Sequence, residues 1–599
     1  MEQNGKLPSR EEIPAKDKWR IEDLYSSDEK WEEEFERLNS MSEEFKKFQG
    51  RLGENGMVLY EALSAQDEIS RLLERVYVYA SQKNHEDMGN GTYQQLFMRA
   101  QGLMSQIGDT CAFVEPEILK IPDESLERFF KEKPELSMYR RYLNEKRRMK
   151  NHILSEEMEG VLAKASRMGN GPQNIFQMFN NADLDFGMIT GEEGRPVQLT
   201  HGRYIQFLES QDRRVRREAF ETLYRAYGQF KNTLAAVFEA NVTQELFFSR
   251  MRKYGSSLEA ALDGGNIPLS VYDGLIREVH ENLYRMYDYI ALRKKLLGVE
   301  ELHMYDIYVP LVKQSKVHYT FEQAKEIVRA GLSPLGEDYL AVLQEGFDHG
   351  WIDVYENQGK RSGAYSWGAY GTHPYVLMNY NGSLNHVFTL AHEMGHAIHS
   401  YYSDETQPYP YAGYRIFVAE VASTCNEALL IHYLLEKAED KEEKKYLINY
   451  FLDQFRATLY RQTMFAEFEQ KVHQMGQRGE SLNADSLCQV YYQLNREYFG
   501  EDMVVDEQIA MEWARIPHFY TAFYVYQYAT GFSAAIAISS KILKGEPGIV
   551  EKYKKFLSGG SSEDPIDLLK ICGIDMTSPE PVKEALAVFG DYLELLKQL

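Results

Sequence analysis

The chain has 599 residues, 44% apolar and 26% charged, an ordinary composition for a folded protein with room for several domains. Its 67 basic and 91 acidic residues sum to −24, which excludes a phosphate-backbone binder and gives no attraction to an anionic membrane surface. Proline is sparse, 18 residues in all, and Glu, Lys, Leu, Ala and Arg are frequent, so a mainly α fold is expected.

Charged residues recur from Glu2 to Asp23, so no signal-peptide core is expected there. No run of about 18 apolar residues marks a membrane span. Cys111, Cys425, Cys488 and Cys572 lie far apart without a CxxC pair. They read as small buried side chains in a reducing compartment, which points to the cytoplasm. Helical periodicity starts with Trp31, Phe35, Leu38, Phe45, Phe48 and Leu52, and continues through Leu63–Lys83, Glu115–Arg148 and Ser155–Arg167. Phe186–Thr200 reads as a β-hairpin around GEEG. A boundary near residue 200 then gives two expected domains, 1–200 helical and 201–599 catalytic.

Helical patterns resume over Asp212–Lys231, Leu234–Lys253 and Val271–Leu297. The stretch Asp353–Gly382 breaks them with five glycines among tyrosines, and Tyr375–Tyr380 reads as a strand closed by Asn381-Gly382. Such a strand could take an extended peptide along its edge.

The next segment carries the chemistry. In Leu390-Ala-His392-Glu393-Met-Gly-His396-Ala-Ile, the histidines are four apart and share one helix face, so both imidazoles can reach one ion. Glu393 stands beside the first, placed for a water rather than the ion, in the HExxH arrangement of zinc peptidases. From Gly382 to Ser403, the ionisable side chains besides Tyr are His386, His392, Glu393, His396 and His399. A lone carboxylate among Val387, Leu390, Met394 and Ile398 is costly to bury unless a metal and its water meet it. His399 lies about 10.5 Å along the axis from His392, too far to share one small ion, and reads as a supporting or packing residue. Gly in its place and His at Tyr402 would mark a metzincin, so that class is excluded. For a third ligand, burial and spacing favour Glu420 in Phe417-Val-Ala-Glu420-Val-Ala-Ser423. Glu427, two turns on, is the rival, or an acid that holds a ligand from behind.

These residues resemble the thimet oligopeptidase/oligoendopeptidase F family of zinc metallopeptidases. The resemblance rests on His392-Glu-Met-Gly-His396-Ala-Ile-His399 and Phe417-Val-Ala-Glu420-Val-Ala-Ser423. It extends to Gly371-Thr-His-Pro-Tyr-Val-Leu-Met-Asn-Tyr-Asn-Gly382, Tyr305-Asp-Ile-Tyr-Val-Pro310 and Trp513-Ala-Arg-Ile-Pro-His518-Phe-Tyr, and covers nearly the whole chain. It implies an almost wholly helical, two-lobed peptidase with a deep substrate channel, one zinc ion on His392, His396 and Glu420, and short unstructured oligopeptides as substrates. It implies further that Gly371, His373 and Tyr375 lie near the substrate. His518 and tyrosines of the 520–528 segment, Tyr524 or Tyr528, would face the reacting peptide.

The expected reaction is hydrolysis of internal peptide bonds, with Glu393 as general base and His518 with Tyr528 or Tyr524 as oxyanion donors. Any one of 42 tyrosines is more simply a packing residue. A terminal-residue peptidase would need a dedicated charge near the site, for which Arg415 is the nearby basic residue. A silent peptide-binding module would have lost Glu393 or a ligand, and this chain keeps all of them. No nucleic acid, membrane or obligate protein partner is expected.

Overall fold

The computed structural model describes residues 6–312 and 318–599. Helix accounts for 71% and strand for 3%, so the expected mainly α architecture with a small β element is what the chain adopts. No helix among the described residues is long and apolar enough to cross a membrane. The chain forms two compact units, each assembled from three stretches: Met1–Lys150, Val317–Tyr433 and Ile538–Cys572 in one, Asn151–Lys316, Leu434–Ala537 and Gly573–Leu599 in the other. The interleaving means that no single boundary near residue 200 separates them.

The first unit starts from two amphipathic helices, Asp28–Phe45 and Gly56–Glu86. Trp31, Phe35, Leu38 and Phe45 line the buried face of the first, and the Trp31 indole donates to the Val76 carbonyl at 2.9 Å. Asn55 caps the second by accepting from the Val58 amide. A side chain at Gly56 would meet the Phe129 carbonyl oxygen at 2.5 Å, so the helix can start there only as glycine. The expected helical run Glu115–Arg148 is instead broken into Val114–Lys120, Asp123–Glu132, a 3-10 turn Pro134–Tyr139 and Arg140–Arg148. Pro122 and Pro134 sit at the breaks, where a missing N–H cannot continue the helical ladder.

Three short strands complete this unit. Tyr375–Leu377 is the middle one, parallel to Ile352–Asp353 and antiparallel to Tyr365–Trp367. This corrects the expectation that Tyr375–Tyr380 offers a sheet edge, because both sides of Tyr375–Leu377 are already paired; the outer strands are Ile352–Asp353 and Tyr365–Trp367. Tyr375 and Leu377 lie in the same apolar core as Trp31, Phe35 and Leu59. A buried ionic knot reinforces the join: Asp353 binds Arg10 at 2.8 Å and Lys360 at 2.6 Å, and Glu86 holds Arg10 at 2.9 Å.

The second unit contains the expected hairpin, Met188–Thr190 paired with Pro196–Gln198 in register Ile189–Val197. Its helices include Arg213–Gly228, Lys231–Met251, Arg461–Gln477 and Ala484–Phe499. Asp306 is fully buried there between Arg213 and Arg216, each at 2.8 Å.

Candidate metal centre

The helix Leu384–Thr406 begins at Ser383, whose hydroxyl accepts from the His386 amide. Val387, Leu390, Ala391, Met394, Ala397 and Ile398 are fully buried and seat it on the first unit's core, leaving His392 and His396 on a second face. The helix Ile416–Lys437 crosses it at Gly395. A Cβ there would stand 2.6 Å from the Ser423 Cα and 2.9 Å from the Ala422 oxygen, so only glycine allows the approach. The Asn426 amide, itself accepting from the Tyr339 hydroxyl, donates to the Ala391 carbonyl at 3.0 Å and pins the crossing.

That crossing brings three donors together. Glu420 Oε2 lies 3.5 Å from His392 Nε2 and 3.6 Å from His396 Nε2. The three ligand atoms fall within 4.8 Å of one another. Two imidazole nitrogens and one carboxylate oxygen converging on one point are a donor set that fits a divalent metal. Glu427 is outside the cluster. Its Oε1 lies 3.0 Å from His392 Nδ1, the nitrogen turned away from Glu420, and so fixes the ring's orientation. The Ser423 hydroxyl donates to Glu420 Oε2 at 3.1 Å.

Electrostatics follow the geometry. Burial disfavours a charged His392, but the Glu427 carboxylate outweighs it and pushes the imidazole up to about 9. Burial also acts against Glu420, yet His396 and His392 hold it down to about 2. Glu393 is 7% exposed; burial raises its pKa, with His392 and His396 opposing. Its carboxylate accepts no hydrogen bond from any described residue.

The remaining expected residues divide. His399 is not part of the cluster: its ring stacks on Tyr414 at 3.8 Å, and burial drives its pKa down to about 3, so it packs as a neutral ring. His373 stacks on Trp351 and places Nε2 3.1 Å from Asp23. Tyr375 is completely buried and donates to the Arg20 carbonyl, so these two hold the N-terminal segment. Gly371 makes a turn at φ +79° beside them. Arg415 is committed to an ion pair with Glu145.

In the second unit, His518, Tyr524 and Tyr528 do come together. His518 Nε2 lies 3.5 Å from the Tyr528 hydroxyl, and the Tyr524 and Tyr528 rings meet edge to face at 5.5 Å. Phe519 is anchored in the core, its carbonyl accepting from Asn241. Phe523 takes a left-handed φ of +55°, held by its amide's bond to Glu469, and this turn starts the helix carrying Tyr528. A second His/Glu group, His280 with Glu467 and Glu497, is already served by protein partners: Glu467 binds His280, Lys471 and the Tyr498 hydroxyl. Sequence reasoning missed Gly395, Ser423, Asn426 and Tyr414. A glycine inside a metal-binding helix was the one available sign of a close crossing.

A model of peptidase family M3 matches residues 206–588, and one described as Oligopeptidase F matches 117–186. The chain belongs to peptidase family M3. Within it, the chain is 48% identical over 595 residues to oligopeptidase PepF of Bacillus subtilis, covering 99% of this chain and 89% of that protein. It is 40% identical to the chromosomal oligoendopeptidase F of Lactococcus lactis subsp. cremoris, covering 99% of each. The crystal structure of oligoendopeptidase-F from Enterococcus faecium superposes with a TM-score of 0.76 at 37% identity, over 95% of this chain and 99% of that one. The protein is a metal-dependent endopeptidase of the oligopeptidase type.

Proposed function

We propose that this chain is a zinc-dependent endopeptidase that hydrolyses internal bonds of short, unstructured oligopeptides. The observation that carries the reading is the convergence of His392, His396 and Glu420, with the enclosed carboxylate of Glu393 beside them and unclaimed by the protein. A zinc ion held by those three residues would supply Lewis acidity, bringing the pKa of a coordinated water towards about 7. Glu393 accepts the proton of the attacking water and returns it to the leaving amine. Glu427 keeps His392 in the tautomer and orientation that present Nε2. His518 and Tyr528, with Tyr524 packed against them, are donors suited to the oxyanion of the tetrahedral intermediate.

The substrate's backbone has a strand to pair with in Tyr365–Trp367, an outer strand of the three-stranded sheet. Beside it lies a cavity of about 630 Å³ lined by Trp367, Tyr370, Tyr409 and Tyr414, which suits a peptide side chain. Backbone pairing makes selection by length stronger than selection by sequence. We assign no nucleic acid, membrane or obligate protein partner, and we place the enzyme in the cytoplasm, where its four unpaired cysteines are stable.

Internally quenched peptides of graded length, incubated with and without a chelator and then with zinc restored, test the reading. Internal cuts that stop with chelator and return with zinc are expected, with a stable folded protein left intact. Single-residue ladders from one end, or cleavage indifferent to chelation, would sink it.

A further inference from the structure

The second unit encloses a cavity of about 20 Å³ whose lining includes Arg456, Arg461, Arg515 and Glu512. The carboxylates available to these guanidinium groups are already engaged. Glu512 accepts from Arg461 at 2.7 Å on one oxygen and from the Tyr491 hydroxyl at 2.6 Å on the other. Asp453 accepts from Arg456 Nε at 3.0 Å and from the Tyr289 hydroxyl at 2.9 Å. Arg515 is left over. Its side chain is 16% exposed, and its nearest carboxylate oxygen, the one Arg461 occupies, is 3.6 Å away, beyond hydrogen-bond reach. It donates no hydrogen bond to any described residue, and its Nε is enclosed without an acceptor. One face lies over the Tyr204 ring.

Three guanidinium groups and two carboxylates leave one positive charge. A largely buried guanidinium whose enclosed Nε–H has no acceptor, and whose nearest carboxylate oxygen is already occupied, is among the costlier arrangements in a protein interior. Water would satisfy donors but not charge.

We propose that this cavity is a resident site for one monoatomic anion of chloride size, held by Arg515 together with Arg456 and Arg461. The volume admits about one water-sized species, which excludes sulfate, phosphate and a peptide carboxylate. A weakly hydrated guanidinium is also the side chain that gives up water most readily for such an ion. Arg515 ends the 3-10 segment Glu507–Arg515, and Pro517–Tyr520 follows after one residue. The anion would therefore steady the turn that carries His518. That consequence rests on the role of His518 proposed above; the site itself does not.

The test uses the full-length protein transferred to chloride-free glutamate buffer. At constant ionic strength, chloride and bromide should raise the melting midpoint saturably, by about 2 °C or more. A bromide-soaked crystal should show an anomalous peak beside Arg515. Arg515→Met should abolish both effects; if that variant does not fold, the wild-type titration and the bromide peak decide alone. A midpoint equal in glutamate and halide, or a cavity without bromide, overturns the proposal and leaves water as the occupant.

Discussion

Glu393 is buried yet takes no hydrogen bond from any described residue, so its carboxylate is left for a water. Glu393→Gln keeps the shape and loses the base, and activity should fall by about 10²–10⁴-fold or more. Metal content should not change, because the ligands are untouched; a metal assay beside turnover checks both halves. Glu427 touches His392 on the nitrogen away from the cluster, so on the proposed ligand set Glu427→Ala should weaken zinc affinity by about 10–100-fold. Glu420→Ala, which deletes a ligand, should cost more. Competition against a chelator ranks them, and the reverse order would exchange their roles. Away from the site, Asp306 carries a pH signature. Burial raises its pKa, but hydrogen bonds from Arg213 and Arg216 bring it below the ordinary value. Its stabilisation is therefore fully present above the unfolded pKa of about 3.9 and lost as pH falls through the lower folded value. Arg213 is partly exposed and counts for little; Arg216 is buried. Asp306→Asn, which strands Arg216, should cost about 3–5 kcal/mol at pH 7. The gap to wild type should narrow as the pH falls below about 4; denaturant melts at both pH values measure it.

At the scale of elements, the crossing at Gly395 decides whether the ligands meet. Gly395→Ala gains about 1 kcal/mol of helix propensity, but its methyl collides with backbone at Ser423 and Ala422. Backbone cannot rotate away as a side chain can, and overpacking costs about 1–3 kcal/mol. The two helices should separate, carrying Glu420 from the histidines. A lower melting point with lower zinc occupancy is expected, and a raised melting point with full occupancy contradicts this account. Much of this element pattern was legible in the sequence. The 3.6-residue period marked the helices, HExxH marked two of the three side chains that converge, and an isolated acid in an apolar helix marked the third, Glu420. The strand order was not: all three strands lie within residues 352–377, but the last in sequence is the middle one of the sheet, and its parallel pairing with Ile352–Asp353 needs a crossover that local periodicity does not mark. One sign was present: Tyr375-Val376-Leu377-Met378 is an unbroken apolar run, all of it buried. That is the pattern of a strand covered on both faces rather than of an exposed edge.

At the scale of the molecule, chain order and compact units do not coincide. A fold hidden from local periodicity is the general reason, since pairing partners hundreds of residues apart leave no mark on either segment. Arg10 meets Asp353 across 343 residues, and the core of the first helices is closed by Tyr375 and Leu377. The hairpin near residue 190 belongs to the other unit; Tyr227 donates to Asn180 at 2.6 Å, and Phe186 packs on the Tyr227 ring. A fragment ending at residue 200 would thus expose apolar surface, leave Arg10 and Glu86 without Asp353 and Lys360, and detach the hairpin from its helix. A whole domain retains only about 5–15 kcal/mol of net stability, and losing a buried ionic partner alone removes about 3–5 of it. Residues 1–200 expressed alone should therefore show helical signal without a cooperative melt, and should be digested rapidly under conditions where the full chain resists. Co-expression with 201–599 should restore protection, because the partner supplies the missing sheet and ions. A sharp, reversible melt of the isolated fragment would establish 1–200 as an independent domain after all.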